Sequence, residues 1–274
     1  MTGRLLAVSL LWLAGSAAEA GPWPAGKRHF YSKLGQQYLR STTLAAPDGT
    51  AFKIPVFRED YVDLYAAVGL DDRSTFIVGI PLLRSTDLAD SPDELSRESG
   101  FGDLRFGLQA QVGRRGPWVF ATRGIAQAPT GDETRSQGLQ ATGSGVWEGE
   151  GWLGAGRSLA GGKGYGFLEL GYNYRGGGLR DGLLYALQVG WNVGPRLVLA
   201  ANLRGLEPLS MKPGSRTAGS FVGVGDRVTY AVYGPTAIVK LGEGWGLQLD
   251  VEGAFRTRNL ATGTVVRTAL TFAR

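Results

Sequence analysis

The chain contains no cysteine, and that absence removes disulfides, thiolate zinc sites and C-x-x-C redox chemistry together. Histidine is almost absent as well. The one histidine, His29, lies three residues before Ser32 and ahead of the first expected strand, so a serine nucleophile has no other imidazole to draw on. This disfavours a lipid hydrolase, and the chain reads as a non-enzyme with no cofactor and no metal. Beyond the N-terminus there is no long apolar run: charge or glycine interrupts every segment within a few residues, which excludes membrane-spanning helices but not spanning strands. Runs of Lys and Arg are missing too. The net charge of +5 is modest and scattered, which gives nucleic acid no footing.

What is present begins with MTGRLLAVSLLWLAGSAAEA. Arg4 precedes an apolar run from Leu5 to Ala14, and small residues then lead into Ala18-Glu19-Ala20, an A-x-A cleavage signal. The run is shorter than the roughly 20 residues of a spanning helix. Residues 1–20 therefore read as a secretory signal peptide cleaved near Ala20/Gly21, with 21–274 as one domain.

Asp103 to Val112 sets the pattern for that domain. Leu104, Phe106, Leu108, Ala110 and Val112 share one face of an extended chain, and Asp103, Arg105, Gly107, Gln109 and Gln111 share the other. The same alternation recurs in twelve segments, from Phe30–Leu39 and Asp60–Gly69 through to one that includes Val266, Thr268, Leu270 and Phe272. No Asp, Glu, Lys or Arg falls on any apolar face, where a basic group at the bilayer midplane would cost about 2–4 kcal/mol. Connections alternate long and short, the first (40–58) and eleventh being among the longer ones. Tyr172, Tyr174, Tyr185, Trp118, Trp147, Trp191 and Phe272 fall toward strand ends, as aromatic girdles do. A soluble sandwich explains the alternation but not the loop asymmetry. The expected fold is all-β, a transmembrane antiparallel up-and-down barrel of about twelve strands in the bacterial outer membrane, in contact with its lipids and lipopolysaccharide.

The polar faces then line the lumen. Asp63, Asp103, Glu148, Glu150, Glu169, Asp250 and Glu252 supply the acids, and Arg105, Arg123, Arg175, Arg204, Lys240 and Arg256 the bases, with Lys33, Arg258 and Arg267 beside them. Buried charges need partners, so pairing across neighbouring strands is expected, Arg105 with Glu148 or Asp63 for instance. Two readings follow: a charged constriction with a slight anion preference, or structural pairing that plugs the barrel.

Two other patterns carry little. Gly149-Glu150-Gly151-Trp152-Leu153-Gly154 matches G-x-G-x-x-G but has no helix after it, and 44 glycines make such matches common. The acidic run of Asp87, Asp90, Asp93, Glu94 and Glu98 lacks EF-hand spacing and reads as a solvated loop.

One set of short motifs is more telling for its order. Gly69-Leu70-Asp71-Asp72-Arg73, Gly100-Phe101-Gly102-Asp103-Leu104-Arg105-Phe106-Gly107-Leu108, Gly116-Pro117-Trp118, Pro129-Thr130-Gly131-Asp132 and Glu169-Leu170-Gly171-Tyr172 with Arg175-Gly176-Gly177 follow one another from about Tyr61 to Phe255. Together they resemble the outer-membrane family labelled as transporters of the phenol-degradation (meta-cleavage) pathway. The resemblance implies an outer-membrane barrel that passes small, hydrophobic or aromatic solutes and is inserted by the barrel-assembly machinery. The alternative is a structural or surface-interaction barrel without transport. Barrels of this kind usually end in an aromatic residue, whereas this chain ends Phe272-Ala273-Arg274.

Overall fold

The computed structural model describes residues 21–89, 97–134, 140–209 and 221–274. Thirteen strands follow one another: β1 (Phe30–Ala45), β2 (Ala51–Gly69), β3 (Ser74–Leu88), β4 (Arg97–Gly100), β5 (Leu104–Arg115), β6 (Trp118–Ala128), β7 (Glu148–Leu159), β8 (Gly164–Arg175), β9 (Gly182–Asn192), β10 (Leu197–Pro208), β11 (Thr229–Gly242), β12 (Trp245–Arg258) and β13 (Leu260–Ala273). Each pairs antiparallel with its neighbour, and β1 pairs with β13, so the sheet closes on itself. The short β4 and β5 share one place in the wall. β3 pairs with β4 over Arg84–Asp87 and with β5 over Ser74–Gly79. The result is the expected up-and-down barrel of twelve strands, closed by the β1–β13 pairing. The last link is Phe30 and Arg274, each donating its N–H to the other's carbonyl at 2.8 and 2.9 Å.

Alternation sends the apolar side chains outward. Leu34, Leu108, Leu153, Leu170, Leu187 and Leu247 are all exposed on the outer wall, an arrangement that water penalises and hydrocarbon does not. Trp118, Trp191 and Trp245 ring the end with short turns, and Trp147, Tyr172 and Tyr174 ring the end with long loops. Arg157 lies outward near the short-turn end, its guanidinium 5.5 Å from the Trp118 ring centre. Asp60, in register with outward Tyr38 midway along β2, corrects the expectation that no charge falls on an apolar face.

The first and eleventh connections differ from expectation. Both are mostly strand: β1 and β2 turn within 46–50, and Asn259 alone separates β12 from β13. Polar residues such as Arg40, Thr43, Thr257 and Thr262 broke the apolar pattern there, but the hydrogen-bonded ladder continues where the outer face has left the apolar belt. The wall is least regular beside Pro81, which has no N–H to give and whose carbonyl accepts from Gly102 at 3.3 Å. At that gap the chain turns Asp103 inward.

Candidate functional site

Three storeys of inward side chains fill the barrel. At the short-turn end, Tyr165, Phe167, Val198 and Ile238 form an apolar floor. At the long-loop end, Leu39, Phe57, Ala261 and Phe221 form a second apolar cluster, with the Phe57 and Phe221 rings 5.1 Å apart. Between them lies a polar chamber of about 420 Å³.

Two ion pairs face one another in the chamber. Arg105 on β5 donates to Glu150 on β7 at 2.5 Å, and Arg204 on β10 donates to Glu252 on β12 at 2.6 Å. Strands β5 and β11 stand opposite each other in the twelve-membered ring, and Tyr230 of β11 lies between the pairs, close enough to feel the charges of Arg105, Glu150, Arg204 and Glu252. Each pair presents its cation. The arginine side chains are 45% and 41% exposed, their carboxylate partners 15% and 7%.

Aromatic faces complete the chamber. Trp152 holds the Glu150 carboxylate through its indole N–H at 2.8 Å and carries Arg123 5.0 Å from its ring centre. Tyr61 lies under Arg84 at 5.1 Å, and Tyr65 and Tyr165 also face the cavity. A third pair, Arg123 to Glu169 at 3.1 Å, is nearly closed to solvent.

These pairs skip a strand. Neighbouring-strand pairing was expected, but β5 reaches β7, β6 reaches β8 and β10 reaches β12, and Arg105 takes Glu150, two residues along β7 from the expected Glu148. For Arg123 and Glu169 a small residue on the strand between allows the reach. A Cβ on Gly154, beside Glu169, would lie 3.1 Å from that carboxylate side chain.

The expected lumen residues thus divide by task. Asp63, Arg105, Arg123, Glu150, Glu169, Arg204, Asp250 and Glu252 line the chamber, as do Lys33 and Arg267. Asp103, Glu148 and Arg175 instead anchor inward loops. Asp103 accepts from the N–H groups of Gly131 (3.0 Å) and Ser144 (2.6 Å), the Ser144 hydroxyl (3.1 Å) and Gln127 (3.2 Å). Arg175 pairs with Glu148 at 3.1 Å and donates to the carbonyls of Val224 and Gly225, both at 2.9 Å.

Lys240 lies on β11 near the short-turn end, outside the chamber lining. Arg256 corrects the sequence reading outright. A bulge lets Ala231 and Val232 face Arg256 and Ala254, so one residue is added and every later side chain changes face. Arg256 pairs in register with Ala231, on the outward side, and its half-exposed guanidinium meets Glu207 at 3.2 Å.

His29 makes a local turn contact with the Lys27 carbonyl at 3.1 Å. In the acidic run, Asp87 is taken by Arg58 at 2.9 Å and Glu98 lies in β4, while Asp90, Asp93 and Glu94 are outside the described residues. The G-x-G-x-x-G stretch is plain strand within β7.

The sequence pattern set Tyr65 with Asp63, and Trp152 with Glu148 and Glu150, on the polar face without marking these aromatics or Tyr61 as lining residues, and it left open whether 21–28 enters the lumen. Tyr61 and Tyr65 share the parity of Asp63, so the signal was there. For the segment 21–29 no signal existed, since it has no periodicity.

No protein-family model matches the sequence, and no curated relative matches it either. Solved structures do resemble it. The NanC porin aligns with a TM-score of 0.54 at 8% identity, and the KdgM porin with 0.53 at 6%, each over 88% of this chain and 98% of that one. An outer membrane channel from Pseudomonas putida F1 is nearer, with a TM-score of 0.74 at 14% identity over 93% of this chain and 98% of that one. At such identities the likeness is one of fold, so the chain shares the barrel architecture of outer-membrane channels and porins.

Proposed function

We propose that this chain is an outer-membrane channel passing small aromatic solutes, with a preference for those carrying negative charge. The carrying observation is the front-to-back arrangement of the two ion pairs: guanidinium groups of Arg105 and Arg204 face the chamber and their carboxylates stand behind. An entering anion meets cations that are already held in place, so little is lost in ordering them. Tyr61, Tyr230 and Trp152 line the chamber with those cations and give an aromatic solute rings to pack against. An apolar cavity of ~150 Å³ holds benzene, so about 420 Å³ leaves room for a ring with polar substituents.

The membrane setting follows from the outer wall, which exposes leucines and aromatics that lipid would cover. The likeness to outer-membrane channels supports the same reading, as does the resemblance to the phenol-pathway family. In it, the signal peptide is removed near Ala20/Gly21, the barrel-assembly machinery inserts the domain, and lipopolysaccharide contacts the long-loop end. The short-turn end then faces the periplasm.

The purified barrel should admit benzoate into liposomes faster than glucose. Its reversal potential in a salt gradient should favour anions, and R105Q/R204Q should weaken that preference. Equal impermeability to both solutes would instead support a structural barrel, and a cation-favouring potential would remove the anion preference.

A further inference from the structure

Residues 21–29, before the first strand, cross the inside of the barrel. Strand β8 is the seventh around the ring and stands diametrically opposite β1. Gly21 lies against Phe167 of β8, where its Cβ would be 3.1 Å from the ring. Trp23 packs edge-on against Tyr165 and Phe167, at 6.0 and 6.2 Å between ring centres. The Trp23 carbonyl then accepts from Gln109 of β5 at 3.1 Å, and the Ala25 N–H donates to Thr75 of β3 at 2.9 Å. Arg28 donates to Gly69 at 3.1 Å, and Phe30 opens β1 on the far wall.

The wall is shaped for this crossing. A Cβ on Gly156 would stand 2.5 Å from Pro22 and 2.6 Å from Trp23, so only glycine leaves the seat open. On the other side a Cβ on Gly69 would overlap the Gly26 carbonyl. Pro22 is fully buried between them. Yet 21–29 joins no ladder: isolated hydrogen bonds and ring packing hold it. Removing it would break no strand pairing.

We infer that residues 21–27 are a removable stopper at the periplasmic end of the chamber, with Trp23 as the part that seats and unseats. The stopper floors the chamber through Tyr165 and Phe167, which line the cavity above and take Trp23 from below. Passage of solute requires its displacement, while the wall stays intact. This rests on the channel reading.

The test uses the full mature chain in planar bilayers, with folding checked by heat-modifiable gel migration. A25C/T75C, oxidised, should lock the stopper and conduct least, and reduction should restore the parent level. Trp23→Ala and Gly156→Val should unseat it and raise conductance several-fold, whereas Trp23→Phe should stay near the parent. Should Gly156→Val fail to assemble, the cross-link and the Trp23 variants carry the test. If the parent conducts and the locked and unseated forms conduct just as it does, the stopper is static wall and the inference falls alone. Silence in every form, unseated ones included, overturns the channel reading together with it.

Discussion

The two ends of the lumen are closed by different physics. At the long-loop end the inward segments are held by buried charge: Asp103 collects four donors, and Arg175 joins Glu148 to two backbone carbonyls of 221–228. Asp226 adds to this, buried and accepting the Arg180 N–H at 2.8 Å while Asn259 donates to its carbonyl. At the short-turn end the closure is a single strand of chain held by ring packing and scattered hydrogen bonds. Charged networks that lose one member leave the rest uncompensated, so they resist opening. Ring contacts are lost and regained without stranding any charge. One end is therefore built to stay, the other to move.

Perturbing the charged end should be costly, and its size tests that contrast. Arg175→Met strands the buried Glu148 and frees two carbonyls, for an expected loss of about 3–5 kcal/mol, read from denaturant unfolding of the reconstituted barrel. A loss near zero would mean that the long-loop end is as loosely held as the other. Asp103→Ala should cost less, about 1–3 kcal/mol, because its donors are neutral groups of which some can find water. Protease accessibility of the chain beside Ser144 should rise with it. Unchanged accessibility would show that apolar packing alone, as at Val146, keeps that loop inside.

The smallest effect belongs to the short turns. Asp71 accepts from the N–H groups of Arg73 and Ser74, both at 2.7 Å, and the Arg73 bond foremost holds its carboxyl below the usual carboxylate range. A depressed value in the folded state means that the turn is favoured at neutral pH and loses that contribution as pH falls through the depressed value. Asp71→Ala should remove this acid sensitivity and little else, measured as the pH dependence of thermal unfolding. An unaltered acid limb would place the sensitivity at other carboxylates.

Much of the architecture was legible beforehand, and the reasons are local. Leu104, Phe106, Leu108 and Val112 announce an outward face within ten residues, because strand side chains alternate whatever the rest of the chain does. The chamber residues Arg105, Arg204, Glu150 and Glu252 could be assigned inward by the same parity. Parity fails where a bulge intervenes. Arg256 was misplaced because the extra residue beside Ala231 leaves no mark in composition. Partner choice failed as well, since Arg105 takes Glu150 while Glu148 on the same strand goes to Arg175, and the sequence carries no record of the register that decides between them.

By itself, then, the sequence determined a two-faced wall: an outer surface mostly apolar and an inner one rich in charge, both dictated by a period of two. Only the closed structure decided what that inner surface encloses. Trp23 meets Phe167, and Arg175 meets Val224, because the curvature and closure of twelve strands bring together segments with no local relation. Those contacts make the difference between an open tube and a chamber stopped at both ends.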